Sequence, residues 1–136
     1  MTWLDSRPLV NAIIAVVDAA LPNTIGVYWG GAPQGVAVPY AVLYPDVGME
    51  SPADRSLSDD VPNDLLFQVT SVGSTAEQAV LVADKVAAAL LDAVPAVAGR
   101  RVRPIRHEGS QPVRRDDVST ELFFATAQFL ARSEAA

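Results

Sequence analysis

The sequence predicts an α+β domain, an antiparallel or mixed β-sheet of four to five strands with two α-helices packed on one face. Two hydrophobic periods and one pattern of connections predict it. Residues 65–70 alternate, with Leu65, Phe67 and Val69 on one side and Leu66, Gln68 and Thr70 on the other, which is the two-residue period of a strand. Directly afterwards Ala76, Ala79, Val80, Ala83, Val86, Ala87, Leu90 and Leu91 recur at helical spacing. The remaining strand segments are joined by turns, which favours antiparallel or mixed pairing with the helices gathered on one face.

In chain order, the first helix is expected to start near Asp5 or Ser6, both good N-caps, with Pro8 in the first turn where a missing amide costs little. Leu9, Val10, Ile13, Val16, Val17, Ala20 and Leu21 form its apolar face, and Pro22-Asn23 ends it. A short strand is expected at residues 25–29. Gly30-Gly31 then breaks the chain as a turn; no GK[ST] follows, so a phosphate loop is not supported. A second strand is expected at residues 40–44 with Pro39 at its start. Residues 46–62 lack apolar periodicity and carry two prolines, three serines and five acids, the composition of a flexible loop or of one that orders on a partner. The strand–helix unit of residues 64–93 follows. Its junction, Ser74-Thr75-Ala76-Glu77, reads as a capping box on Ser74, with Gly73 supplying the turn. A short strand is expected at residues 101–105 and a loop at residues 109–112. A long last strand is expected at residues 118–131, apolar on both faces, with residues 132–136 as a frayed tail. Nothing divides the chain, so residues 1–136 read as a single domain.

Charge is more informative as a distribution than as the net −6. From Asp46 to Asp64 lie six acids (Asp46, Glu50, Asp54, Asp59, Asp60 and Asp64) against Arg55 alone. From Arg100 to Arg115 lie six of the ten basic residues, Arg100, Arg101, Arg103, Arg106, Arg114 and Arg115, against Glu108 alone. One reading is two solvated faces. The other is a complementary pair of surfaces that meet between copies of the chain. The net acidity weighs against nucleic acid as the main partner, and the arginine run contains no Phe, Tyr or Trp on which a base would stack. No apolar run reaches the roughly 18 residues that span a bilayer, so no membrane is expected as partner. The first ten residues lack a basic segment followed by an apolar core, and no signal peptide is expected.

The residue types that carry catalysis are sparse. With no cysteine, there are no disulfides, thiolate metal sites or cysteine nucleophiles. His107 is the single histidine, flanked by Arg106 and Glu108 in a polar segment, and is expected at the surface. The pairs Asp59-Asp60 and Asp116-Asp117 are poor metal ligands, because adjacent residues on a strand point to opposite faces. Ser110 and Ser119 lie in no nucleophile motif. The expectation is therefore no enzyme, no cofactor and no metal. Tyr28, Trp29, Tyr40 and Tyr44 read as core and rim packing.

A short N-terminal helix opening TWLDSRPLV, two strands, a variable loop, the unit DLLFQVTSVGSTAEQAVLVADKVAAALLDA and a long last strand ELFFATAQFLARS together resemble the tail terminator (tail completion) proteins of long-tailed bacteriophages, particularly those infecting actinobacteria. The resemblance spans most of the chain in element order and includes no diagnostic motif. It implies an α+β subunit of a homo-hexameric ring at the head-proximal end of the tail. That ring would cap the major tail tube protein, stop polymerisation and dock the head-side connector. DNA would pass through the lumen without specific binding. It implies a virion protein assembled in the host cytoplasm, with no cofactor. Only regions carry over as contacts: Asp54, Asp59 and Asp60 in the acidic loop, and the arginines at 100, 101, 103, 106, 114 and 115. A head–tail connector or head-closure protein is the neighbouring alternative. A small α+β ligand-binding domain or enzyme is a more distant one.

Overall fold

A computed structural model describes residues 2–46, 48–50, 60–115 and 122–136. In chain order the elements are β1 (Thr2–Trp3), α1 (Arg7–Ala20), β2 (Gly26–Trp29), β3 (Tyr40–Pro45), β4 (Met49–Glu50), β5 (Asp60–Val61), β6 (Asn63–Gly73), α2 (Ala76–Leu90), β7 (Arg100–Val102), β8 (Arg106–Ser110), β9 (Arg114–Arg115) and β10 (Phe123–Ala135). The α+β class holds. The sheet is mixed: its main path runs β2-β3-β6-β10-β7, with β4 also on β6, and β8 and β9 also on β10. Among the described residues, only β2 and β3 pair in parallel within it.

The strand at the centre is the one whose alternation is clearest. β6 pairs antiparallel with β3 on one side and with β10 on the other, eleven residues deep on the latter. Leu65, Phe67 and Val69 face the helices and are buried, matched across the ladder by Ala131, Phe129 and Ala127. The Phe67 and Phe129 rings stack with centroids 5.5 Å apart. Leu9, Val10, Ile13 and Val17 of α1 and Val82, Val86 and Leu90 of α2 close the same core. Each such side chain taken out of water contributes about 1.5–3 kcal/mol.

The other sheet face is of different character. Gln68 lies opposite Gln128, Leu66 opposite Leu130 and Thr70 opposite Thr126, the two hydroxyls 3.2 Å apart. Of the expected apolar pair of faces on the last strand, only one is packed by helices; Leu130 and Phe124 on the other are half-buried and Gln128 is exposed.

Several expectations are corrected. The helix cap is Thr75 rather than Ser74: Thr75 Oγ1 accepts from the Gln78 amide at 3.0 Å, and Gln78 Oε1 accepts from the Ser74 amide at 2.7 Å. The sequence S-T-A-E-Q contains two overlapping boxes, and the helix is capped from the second residue; Gly73 before it leaves no room for a Cβ, which would lie 2.7 Å from the Ala79 amide nitrogen. The last strand is β10, so residues 132–135 of the expected frayed tail are strand. Ala131 and Ser133 are fully buried, while Arg132 and Glu134 alternate outward into ion pairs. Charge at those positions disguised a two-residue period. Residues 106–110 form β8 where a loop at residues 109–112 was expected to begin; a polar edge strand has no apolar alternation to betray it. Within residues 46–62, β4 and β5 are ordered additions, and residues 51–59 lie outside the described residues.

Candidate functional site

The arginine run folds into β7, β8 and β9, which line the free edge of β10 one after another. Arg115 pairs with Phe123 and Arg114 with Phe124 at one end. Arg106 pairs with Leu130 in the middle. Arg101 pairs with Glu134 and Arg100 with Ala135 at the other end. Ten residues of β10 separate Phe124 from Glu134, so the arginines are spread along about 35 Å of sheet edge rather than gathered in one cluster. A bulge between Gln128 and Phe129 interrupts the pairing with β8.

Each arginine is held lightly. The Arg103 guanidinium donates to Glu134 at 3.0 Å, and Arg101 approaches the same carboxylate at 4.0 Å. Arg106 meets Glu108 at 3.5 Å with its own side chain 73% exposed. Arg114 lies over the Phe124 ring and Arg115 over Phe123, each 5.3 Å from the centroid. Exposed pairs of this kind contribute about 0–1 kcal/mol, so they leave the guanidinium groups available to a partner. Arg100 is half-buried, with Nη1 enclosed and no hydrogen-bond partner among the described residues.

The backbone register relates this edge to the acidic segment. Val102 pairs with Ser133, Ser133 with Asn63 and Asn63 with Glu50. One row across the sheet thus runs from β7, beside Arg101 and Arg103, to the acid-rich segment at β4. Of the acidic run, Asp46 and Glu50 thus lie beyond β6 on the side away from β10 and the arginines, while Asp64 sits on β6 itself. Asp60 lies in β5, paired with Thr2 of β1. Asp54, Asp59, Asp116, Asp117 and Ser119 lie outside the described residues.

Sequence reasoning missed two features. The Arg132 guanidinium grips Asp64 through Nε to Oδ1 at 2.6 Å and Nη2 to Oδ2 at 3.0 Å, across β10 and β6, with Asp64 nearly buried. Its signal was register: an acid starting one strand and a base ending its partner. The second is exposed apolar surface, Trp29 and Tyr44 at the β2–β3 side and Val80 and Leu81 on the outer face of α2. His107 is exposed, and its ring tilts against Phe129 at 5.4 Å. Among the described residues no group of three His, Cys, Asp or Glu side chains is placed to hold a metal. Among the described residues no helix is long and apolar enough to cross a membrane.

Comparison with known proteins puts this geometry in context. A family model described as tail completion protein gp17 matches residues 9–134. Among solved structures, a chain from the virion of a native gene transfer agent particle superposes with a TM-score of 0.61 at 23% identity, covering 90% of this chain and 84% of that one. A second solved chain superposes with a TM-score of 0.58 at 17% identity, covering 91% of this chain and 94% of that one. No curated protein matches. At such identities the superpositions establish the fold, while the family match spans nearly every element from α1 to β10. The chain belongs to the tail completion protein gp17 family.

Proposed function

We propose that this chain is a phage virion structural protein: the subunit of a homo-hexameric ring that caps the head-proximal end of the tail tube, stops its polymerisation and docks it to the head-side connector. The observation that carries this reading is the placing of acids Asp46 and Glu50 on one side of the sheet and of the β7, β8 and β9 arginines on the other. A patch that complements a different patch on the same molecule makes a heterologous contact, and such contacts close into rings when the rotation allows. Family membership and the likeness to a chain of a gene transfer agent virion support assembly with other phage structural proteins, the tail tube protein on one side and a connector on the other. The arginines along β10, and the acids Asp54, Asp59 and Asp60, are the proposed contacts. DNA passes through the lumen without specific binding, and no cofactor or catalysis is involved. The ring assembles in the host cytoplasm and stays in the virion.

The test is negative-stain microscopy of purified protein mixed with tail tubes that lack it. Rings at one end of tubes of fixed length are expected. Binding to portal complexes but not to tubes would reassign the protein to a connector position. Neither rings nor capped tubes would end the proposal.

A further inference from the structure

We propose that Arg106 of one copy of this chain seats between Trp29 and Asp46 of the next, as the central contact of a head-to-tail interface. The inference rests on the ring reading and adds the contact that would close it.

Trp29 ends β2, the outermost strand of the main sheet path, and is 47% exposed. Beside it is a surface recess to which Asp5, Arg7, Val10, Pro45 and Asp46 contribute. Two carboxylates against one guanidinium leave the recess acidic, and the indole forms an accessible aromatic wall. An exposed aromatic face next to carboxylates is the environment that suits a guanidinium, which stacks on the ring while donating to the oxygens. A lysine or an apolar anchor would use only half of those features.

The register then selects which arginine. The Asp46 amide donates to the Leu66 carbonyl at 2.9 Å, Leu66 pairs with Leu130, and Leu130 pairs with Arg106. Asp46 and Arg106 therefore lie on one row running straight across the sheet. Trp29 is on a row three residues further along, about 10 Å away, through Leu43, Val69 and Ala127 to Ser110 in the same strand as Arg106. A neighbouring copy held level with the Asp46 row sets its Arg106 against Asp46, at the recess that Asp46 shares with Trp29. Arg106 is the most exposed arginine of those in ion pairs, and its link to Glu108 at 3.5 Å is weak enough to give up.

Because the chain has no cysteine, a pair of introduced thiols reports on this contact directly. Within one chain, positions 46 and 106 are three strand spacings apart, about 14 Å, beyond the span of a disulfide. Oxidation of the D46C/R106C variant is expected to give a ladder of covalent oligomers, whereas D46C or R106C alone stops at a dimer. Separately, Asp46→Arg and Arg106→Asp should each raise the concentration for half-assembly about tenfold. A one-to-one mixture of the two should recover assembly, since each contact is then native or doubly reversed. Trp29→Ala should weaken assembly in the same direction. A wild-type protein that forms rings while D46C/R106C gives no ladder, or while the reversed variants assemble normally, overturns the contact and leaves the ring intact. A wild-type protein that stays monomeric both alone and with tail tubes overturns the ring and this contact together.

Discussion

β10 has two edges, and they are built differently. Toward β6 it makes an unbroken eleven-residue ladder in which buried Phe129, Ala131 and Ser133 alternate with outward-facing residues. Toward the outside it is met by three short strands, one of them bulged, whose side chains are half arginine and mostly exposed. One strand thus carries both the scaffold and the proposed working surface. The first edge is fixed by register, because a one-residue slip would turn its apolar set into solvent. The second is polar and interrupted, and it is held by ion pairs that can be exchanged for others. Bulges and charge at an edge also discourage unplanned strand addition, which suits a surface meant for one partner only.

The contrast makes graded predictions for stability. Phe129→Ala removes a buried ring that stacks on Phe67 in the core, and should cost about 3–5 kcal/mol by denaturant unfolding. A cost near 1 kcal/mol would mean that the β6–β10 ladder is not the stabilising edge. Asp64→Ala leaves Arg132 without the carboxylate that its guanidinium grips, and should cost about 1.5–3 kcal/mol. A double-mutant cycle with Arg132→Ala would isolate the pair. Thr75→Ala removes the side-chain cap of α2 and should cost about 1 kcal/mol, whereas Ser74→Ala should cost less. If Ser74→Ala proves the more damaging, the cap assignment is reversed. Arg103→Ala should change stability by less than about 0.5 kcal/mol, because its own side chain is 54% exposed.

How much of this was legible in the sequence follows the same division. The β6–α2 unit was plain because burial imposes a period, and Leu65, Phe67 and Val69 announce it without help from other parts of the chain. The end of β10 was misread because Arg132 and Glu134 look like a solvated tail until Asp64 and Arg103 are placed beside them. β8 was invisible for the opposite reason: an edge strand of Arg, His, Glu, Gly and Ser buries little, and only pairing defines it. The two charge runs could be read from composition, but that Asp46 and Glu50 lie across the sheet from the arginines depends on a register that no local pattern encodes. Trp29 was read as rim packing, and its exposure beside Asp46 emerges only when β2 is known to be the outermost strand of the main path.

The most direct test of the central claim, that the outer edge of β10 acts in assembly while its inner edge only holds the fold, is mass photometry of Arg101→Glu/Arg114→Glu beside the wild type. Both arginines are exposed and lie toward opposite ends of the edge. The account predicts a variant that melts within about 2 °C of the wild type, yet remains monomeric where the wild type forms rings. A variant that assembles as the wild type does would contradict it.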